Sequence, residues 1–517
     1  MTDLRNRREE RYGGLKPRGR DKMIEEYYRN ICAGEQVRAN LIVLRDALKE
    51  ERNRRALAYL LGGDFSILCG LLKHDDPKVR RNAALILGKM ESEDLLPVLF
   101  AAYEKEETKY VRAEYLKAMA DMDCRPVLGR LENRLEQLRV MDVSKEDRKH
   151  VSEEIRMLQT LVMKYRKTRH HKFAGYRERM EMILVTNRCQ REVTAHQIEK
   201  GQITMLAGGI RIRDARIRDI LPIRTYSELL FPLETEMLSV SDPESVGRAV
   251  AGPLLELAGT LHEGQGPFLF RIELKSKMEP EKKGTYIRKI SDALELESGG
   301  EMVNSVADYE LELRLLEKKD DTFAAMVKLF TIPEKRFAYR REHVASSISP
   351  VNAALTVELA RPYLKENAQV LDPFCGVGTM LIERNEAVKA GVMYGIDIYG
   401  DAIEKAHNNT DRAGCRVYYI NKDFFDFEHE YLFDEVITDM PQVTAGKQRA
   451  EIRSLYFDFF EKVKMHLRDE AVLVLYTTEP QLAKEASASV TGYRIEKTYT
   501  LNERNKTAVL VILWRNT

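Results

Sequence analysis

The chain has 517 residues, 44% of them hydrophobic and 32% charged, and its 83 Lys and Arg nearly balance 82 Asp and Glu to leave a net charge of +1. That length exceeds one core and predicts three or four domains. The near-zero net charge excludes a general attraction to phosphate, so any nucleic-acid partner must be held by local patches.

The first 22 residues, MTDLRNRREERYGGLKPRGRDK, carry charge, Gly and Pro but almost no apolar side chain, which predicts a mobile basic tail over 1–25. No apolar run approaches the ~20 residues of a membrane span. The six cysteines (Cys32, Cys69, Cys124, Cys189, Cys375, Cys415) are scattered singly with no secretory signal before them. The expectation is a soluble protein of the reducing cytoplasm, with no membrane partner and no metal.

From 26 to 165 the period is helical. DDPKVRRNAALILGKM (75–90) and ETKYVRAEYLKAMADM (107–122) repeat a polar turn, Val-Arg and a helical apolar pattern, with Val79 and Val111 32 residues apart. Such self-similarity predicts antiparallel helix pairs stacked as a short solenoid. Asp76, Pro77, Val79, Arg80, Ala83 and Gly88 resemble the signature of short HEAT repeats, and 39–64 resembles a degenerate earlier unit. Arg80 and Arg112 are expected to form ion pairs inside the solenoid, whose outer surface would dock a protein partner. The basic stretch VMKYRKTRHHKFAGYRER (162–179) has two readings: a helix end plus a linker over 166–180, or a phosphate-binding strip with stacking rings Tyr165, Phe173 and Tyr176.

Beyond it the period changes. MILVT (182–186) and GGIRIRD (208–214) read as strands, REVTAHQIEK (191–200) as a helix, and IRTYSELLFPL (223–233) as a strand entering a helix. FLFRIELK, GTYIRKISDALELES, YELELRLLEK and TFAAMVKLF, between 268 and 330, then read strand, helix, strand, strand. These predict two small α+β units in succession, 181–235 and 236–335. Over 336–517 the order is that of an α/β doubly wound sheet: a leading helix, VNAALTVELARPYL, then strands in QVLDPF, VMYGIDI, VYYINKD, EVITDM and AVLVLYT, and a terminal hairpin of YRIEKTYTLN and TAVLVILWR.

VLDPFCGVGTMLIE (370–383) carries the sharpest chemical signal. A β-branched strand ends at Asp372, and Gly376 and Gly378 let the following turn approach a ligand before a helix opens at Thr379. It is neither GxGxxG nor a P-loop. Asp397 ends the next strand, placed to accept from ribose hydroxyls, and Asp423 ends the third, where an adenine amino group would lie. Three successive strands ending in acids, with glycines only after the first, form the pattern of Rossmann-like S-adenosylmethionine-dependent methyltransferases. That pattern makes Asp372, Pro373, Cys375, Gly376, Gly378, Thr379, Asp397, Ile398, Asp423 and Phe424 the candidate cofactor residues.

More narrowly, from about 181 onward the chain resembles the THUMP-domain RNA methyltransferases that modify the exocyclic amino group of guanine. The resemblance is carried by RFAYRREHVASSISPVNAALTVELA (336–360) with Arg340, Ser349, Pro350 and Asn352, by the Asp372 loop, and by DIYGDAIEKAHNNTDRAG (397–414) with Asn409 and Gly414. It implies a ferredoxin-like unit followed by a THUMP unit, S-adenosylmethionine as cofactor, and structured RNA as partner, tRNA ahead of rRNA. It also implies a catalytic turn where the family has [DN]PP[YF]. Here that turn reads Asp439, Met440, Pro441, Gln442. The Asp439 carboxylate and the Met440 carbonyl would accept the amine's hydrogens, Pro441 would hold the turn, and Met440 in place of proline would loosen it. Gln442 removes the aromatic on which the flipped base stacks, so the base edge would fall to Gln442 and the stacking to Phe424, Phe425 or Tyr456. The rival is an RNA-binding or scaffolding protein with a catalytically degenerate domain. Lys282, Lys283, Arg288, Lys289, Arg211, Arg213 and Arg340 are the candidate RNA contacts, with Arg216 and Arg218 in the same segment as Arg211 and Arg213.

Overall fold

The computed structural model describes residues 21–90, 92–139, 141, 144, 147–165, 171–442 and 449–516. The expected tail over 1–20 and the linker residues 166–170 lie outside the described residues.

Helices Asp21–Cys32, Val37–Ala47, Glu51–Leu61, Pro77–Gly88, Leu96–Lys105, Lys109–Met119, Leu128–Arg139 and Arg148–Tyr165 build the N-terminal region around one apolar core. The repeat signature has local causes. Asp76 caps its helix by accepting from the Lys78 N–H at 2.8 Å, with Pro77 at the first helical position. At Gly88 a Cβ would lie 2.4 Å from the Ala118 carbonyl oxygen, so only glycine lets these two helices meet backbone to backbone. Arg80 makes a two-pronged pair with buried Glu106 at 2.8 and 2.7 Å, and Arg112 stands 3.7 Å from buried Glu154, the ion pairs expected of them.

The described rings of the basic stretch after this region are packed. The Tyr165 hydroxyl donates to the Met122 carbonyl at 2.9 Å, Phe173 is buried, and Tyr176 meets its ring edge-on at 4.9 Å. The rings at 165, 173 and 176 are packing groups, and the stacking-strip reading is set aside for them. Short β1 (Lys172–Phe173) pairs with β7 (His262–Glu263).

The two expected α+β units share a single sheet. Strands β2 (Arg179–Thr186), β3 (Gln202–Leu206), β4 (Gly209–Arg216), β5 (Tyr226–Pro232), β8 (Phe268–Lys275), β9 (Met302–Asn304), β10 (Leu311–Glu317) and β11 (Thr322–Leu329) run in the order β3-β4-β2-β5-β11-β10-β8-β9, with β6 (Leu238–Ser239) on β11. The join is antiparallel pairing of β5 with β11, Val327 opposite Phe231, so the boundary drawn at 235 falls inside one sheet. The helix expected over 191–200 is only Arg191–Ala195, and 226–232 stays extended and runs on to β6 rather than directly into a helix. Strand β3 and the 19-residue helix Pro243–Leu261 were not anticipated. That helix holds Gly247, Gly252, Gly259 and Pro253, which mask its period. Its Gly247 is where it touches helix Pro280–Glu297, a Cβ there falling 2.4 Å from the Ile290 carbonyl oxygen.

The C-terminal sheet contains β12 (Gln369–Asp372), β13 (Val392–Asp397), β14 (Tyr418–Asn421), β15 (Phe433–Asp439), β16 (Leu467–Thr477), β17 (Tyr493–Asn502) and β18 (Thr507–Trp514), in the order β14-β13-β12-β15-β16-β18-β17. The first five are parallel, and β18 closes antiparallel on β16. Helices Pro350–Ala360 and Thr379–Ala387 cover one face, and Arg449–Val463 and Pro480–Ala488 the other. The chain reverses its direction of winding between β12 and β15, and open α/β sheets bind ligands at the carboxyl ends of the strands beside such a reversal.

Candidate active site

The loop after β12 is shaped by its glycines. Gly376 has φ +51° and a Cβ there would meet open space; Gly378 has φ +78° and a Cβ would lie 2.1 Å from the Tyr419 hydroxyl. The first glycine leaves room for a ligand, and the second lets the chain pass a buried ring. Asp372 is buried, accepts from the Phe374 N–H at 3.2 Å, and burial pushes its carboxyl up to about 8, with Asp439 and Asp397 adding to the rise. Pro373 starts the turn and Thr379, buried, opens the next helix. Cys375 faces the core, where burial holds its thiol protonated, so it offers the crevice only backbone.

Asp397 locks this loop from the neighbouring strand. Its carboxylate accepts from the Gly376 N–H and the Tyr399 N–H, each at 2.9 Å. Each oxygen keeps a lone pair for a diol. Ile398, the next residue, leaves an apolar side chain 51% exposed. Asp423 caps the turn Phe424–Asp426 by accepting from the Phe425 N–H at 3.0 Å and is otherwise exposed. Phe424 is a correction: its ring is 1% exposed, packed among Phe374 and Phe459, so only its backbone remains for a ligand.

Asp439 ends β15 on the same face of the sheet. Burial pushes its carboxyl up to about 7, and the Gln442 amide turned toward it acts in the opposite sense. Its Oδ1 is out of contact with water and has no hydrogen-bond partner among the described residues. An acceptor held dry and unpaired is costly unless something is to arrive there. The turn that follows is not loosened as expected. Met440 is buried in the core, and its N–H donates to the Tyr476 carbonyl at 2.9 Å, a bond that a proline could not make. Pro441 accepts from the Tyr456 hydroxyl at 3.3 Å. Gln442, expected at a base edge, instead faces Asp439. Tyr456 and Phe424 are buried in the cluster on the opposite face of the sheet and Phe425 packs against it; the Tyr456 hydroxyl, near enough to feel the Asp439 charge, is taken up by the Pro441 carbonyl and the Thr477 hydroxyl, so none of the three rings is free to stack on a base.

Residues 338–504 match the family model described as the RMKL-like methyltransferase domain, and 42–120 match HEAT repeats. Residues 338–504 form a methyltransferase domain. Over 167 residues the chain is 27% identical to the tRNA (guanine(10)-N2)-dimethyltransferase of Methanothermobacter thermautotrophicus, covering 30% of this chain and 47% of that one. The chain thus spans about half the length of that relative. Among solved structures, TrmN from Thermus thermophilus superposes with a TM-score of 0.51 at 19% identity, over 65% of this chain and 100% of that one. SMU.472, crystallised as a complex with SAH, gives 0.50 at 14% identity over 66% and 99%. At these identities the likeness shows the fold, and it extends beyond the methyltransferase domain into the sheet before it.

The expected RNA contacts separate into three groups. Lys282, Arg288 and Lys289 are exposed and Lys283 half-buried on helix Pro280–Glu297, with no ion-pair partner among the described residues. Arg211 and Arg213 do share a face of β4, but both pair with Glu181, at 3.2 and 2.8 Å, which cancels half their charge. Arg340 is a correction: half-buried, it donates to the Thr379 hydroxyl at 3.3 Å and the Ile348 carbonyl at 2.8 Å, and belongs to the wall of the methyltransferase crevice, not to an outer surface. The residues missed are those that long-range packing brings in. Arg224, from the middle sheet, clamps Glu383 with two bonds of 2.7 Å, and the Tyr339 hydroxyl adds a third of 2.6 Å. Nothing local in the sequence marks Arg224.

Proposed function

We propose that this protein methylates an exocyclic amino group of a base in structured RNA, guanine N2 of a tRNA foremost, with S-adenosylmethionine as donor. The observation that carries the reading is Asp439: a desolvated carboxylate with one unpartnered oxygen, at the carboxyl end of β15 and beside the glycine loop. The crevice residues fit the donor. Gly376 leaves open space, Asp397 has lone pairs for the ribose hydroxyls, and Ile398 offers a face to the adenine. When bound, S-adenosylmethionine supplies an electrophilic methyl on a sulfonium.

The chain's own part is positioning. An aromatic amine is a poor nucleophile because its lone pair is delocalised into the ring. The Asp439 carboxylate and the Met440 carbonyl accept its two hydrogens, draw the nitrogen toward sp3 and direct the lone pair along the line of displacement. Burial of the Met440 side chain and its bond to the Tyr476 carbonyl hold that second acceptor still. Asp439 acts as an acceptor, since the methylated amine loses its proton readily. The relative's activity on a tRNA guanine N2 supports this choice of atom. The middle sheet, read as ferredoxin-like and THUMP units, would hold the RNA through Lys282, Lys283, Arg288 and Lys289, and the solenoid would dock a protein partner, both in the cytoplasm. The same chemistry on rRNA is the nearest variant. The second reading, an RNA-binding scaffold with a degenerate domain, is favoured by one observation, the Gln442 side chain turned onto Asp439.

Calorimetric titration with S-adenosylmethionine tests the donor site, and methyl transfer to RNA separates the two. Wild type is expected to bind and Asp397→Ala to lose at least about tenfold in affinity, the loss of one or two charge-assisted hydrogen bonds. Total cellular RNA with radiolabelled donor, followed by nucleoside analysis, then names the base. A wild-type protein that binds no donor ends the enzymatic reading.

A further inference from the structure

The catalytic turn lacks its ring, and the three aromatics expected to replace it, Phe424, Phe425 and Tyr456, are buried in or packed against the cluster on the other face of the sheet. A ring is nevertheless present where the base must enter. β15 and β16 are parallel neighbours whose register sets Asp439 directly beside Tyr476. Ile437 and Val474, two residues earlier on each strand, both pack in the cluster under helix Pro350–Ala360. By the two-residue period of a strand, Asp439 and Tyr476 therefore share that face, about 5 Å apart at the backbone. The Asp439 charge is felt at the phenol, which burial and that charge together raise to about 12. Tyr476 is only half-buried, and its hydroxyl lies 3.5 Å from the Asn352 side-chain nitrogen on the first turn of helix Pro350–Ala360. Tyr499 lies on the same rung, level with Val509 and so with Tyr476, but three strands from Asp439, or about 14 Å. That is too far to touch a base whose amine sits on Asp439.

We propose that Tyr476 is the ring against which the target base is held, taking over from the adjacent strand the stacking that the turn has lost at Gln442, with Asn352 forming the polar end of the same wall. The inference rests on the base-methylation reading above and adds the residue that fixes the base. A platform on a central strand differs physically from one on a loop. Tyr476 is tied into the sheet on both sides, by β15 and by β18 opposite Val509, so its backbone costs no ordering entropy when the base arrives. It also explains how the turn accommodates a glutamine: with the ring supplied from β16, position 442 is released to face Asp439.

The test compares wild type, Tyr476→Phe, Tyr476→Leu and Tyr476→Ala as full chains. It measures donor affinity by calorimetry and steady-state methyl transfer to total cellular RNA. Stacking on one aromatic corresponds to about 10- to 100-fold. Tyr476→Phe is expected within about threefold of wild type in kcat/KM for RNA, whereas Tyr476→Leu and Tyr476→Ala fall by about 10- to 100-fold with donor affinity unchanged. Leu fills the apolar volume without a π-face, so it distinguishes lost stacking from a collapsed core if the Ala variant folds poorly. Leu at wild-type kcat/KM overturns the proposal, as does Phe falling as far as Leu. A wild type that binds the donor but methylates no RNA overturns the function reading and this inference with it. An active wild type with an equally active Leu variant overturns this inference alone.

Discussion

At the scale of single residues the site is governed by desolvation. Asp439 must be ionised to accept from an amine, yet burial lifts its carboxyl to about 7. In the free enzyme kcat/KM for RNA should therefore rise with pH along an ascending limb centred near 7, and Asp439→Asn should abolish that limb while lowering the plateau by at least about 100-fold. Gln442 pulls the same carboxyl down. Removing its amide in Gln442→Ala should move the limb to higher pH, and a pH–rate series of the two variants beside wild type checks both signs. The acids at 372, 397 and 439 were legible in the sequence because each ends a strand, and strand ends can be read from hydrophobic runs. Tyr476 was not, since its relation to Asp439 exists only through the register of two strands 37 residues apart.

Among elements, the helix after the glycine loop is bound to the catalytic strand by a fully buried ion pair. The Arg384 guanidinium donates to both Glu435 oxygens at 2.8 and 2.9 Å and to the Lys365 carbonyl at 2.7 Å, while the Lys365 N–H donates to Glu435 at 2.6 Å. Both side chains are essentially without solvent exposure. Glu435→Ala leaves a guanidinium buried without its partner and should cost about 3–5 kcal/mol, read as a lower urea midpoint, whereas replacing both residues by apolar ones should restore much of it. Arg384 lies five residues past Thr379 and Glu435 four before Asp439, so the pair ties the helix after the donor loop to the strand that carries the acid. Helix Thr379–Ala387 and β15 were both anticipated from their periods; the charge buried between them was not, because a lone Arg in a helix reads as surface. The hidden helix Pro243–Leu261 makes the converse point: close packing requires glycine at Gly247, one of the residues that weaken its helical signature.

Over the whole molecule, the middle sheet is fastened to the methyltransferase domain at two places. Arg224 grips Glu383 at one; at the other the Asn187 amide donates to the Leu501 carbonyl at 3.1 Å and Gln190 to the Thr500 carbonyl at 2.9 Å. The solenoid is joined in turn through buried Gln159, whose amide donates to the Gly300 carbonyl. On the proposed reading, an RNA held on the middle sheet would thereby be offered to the crevice at a fixed distance. Arg224→Ala should strand Glu383 as a buried acid and destabilise the protein by about 3 kcal/mol, seen as a lower Tm. With the two parts less firmly aligned, KM for RNA should rise more than Kd for S-adenosylmethionine, and equal changes in the two would argue that the clamp serves only the cofactor helix.

The sequence alone determined what depends on neighbours along the chain. These are the helical repeats with the Asp76-Pro77 cap, the alternating strands, the doubly wound order from 351 onward, and the acids and glycines at strand ends. Only the tertiary structure decided what depends on partners far apart: that two α+β units pair edge to edge as one sheet, that Arg340 lines the crevice, that Phe424 and Tyr456 are core, and that Tyr476 stands beside Asp439. The division has a physical cause. Periodicity and capping are set by backbone geometry within a few residues, whereas burial, register and the pKa of a carboxyl are set by whichever distant segment excludes the water.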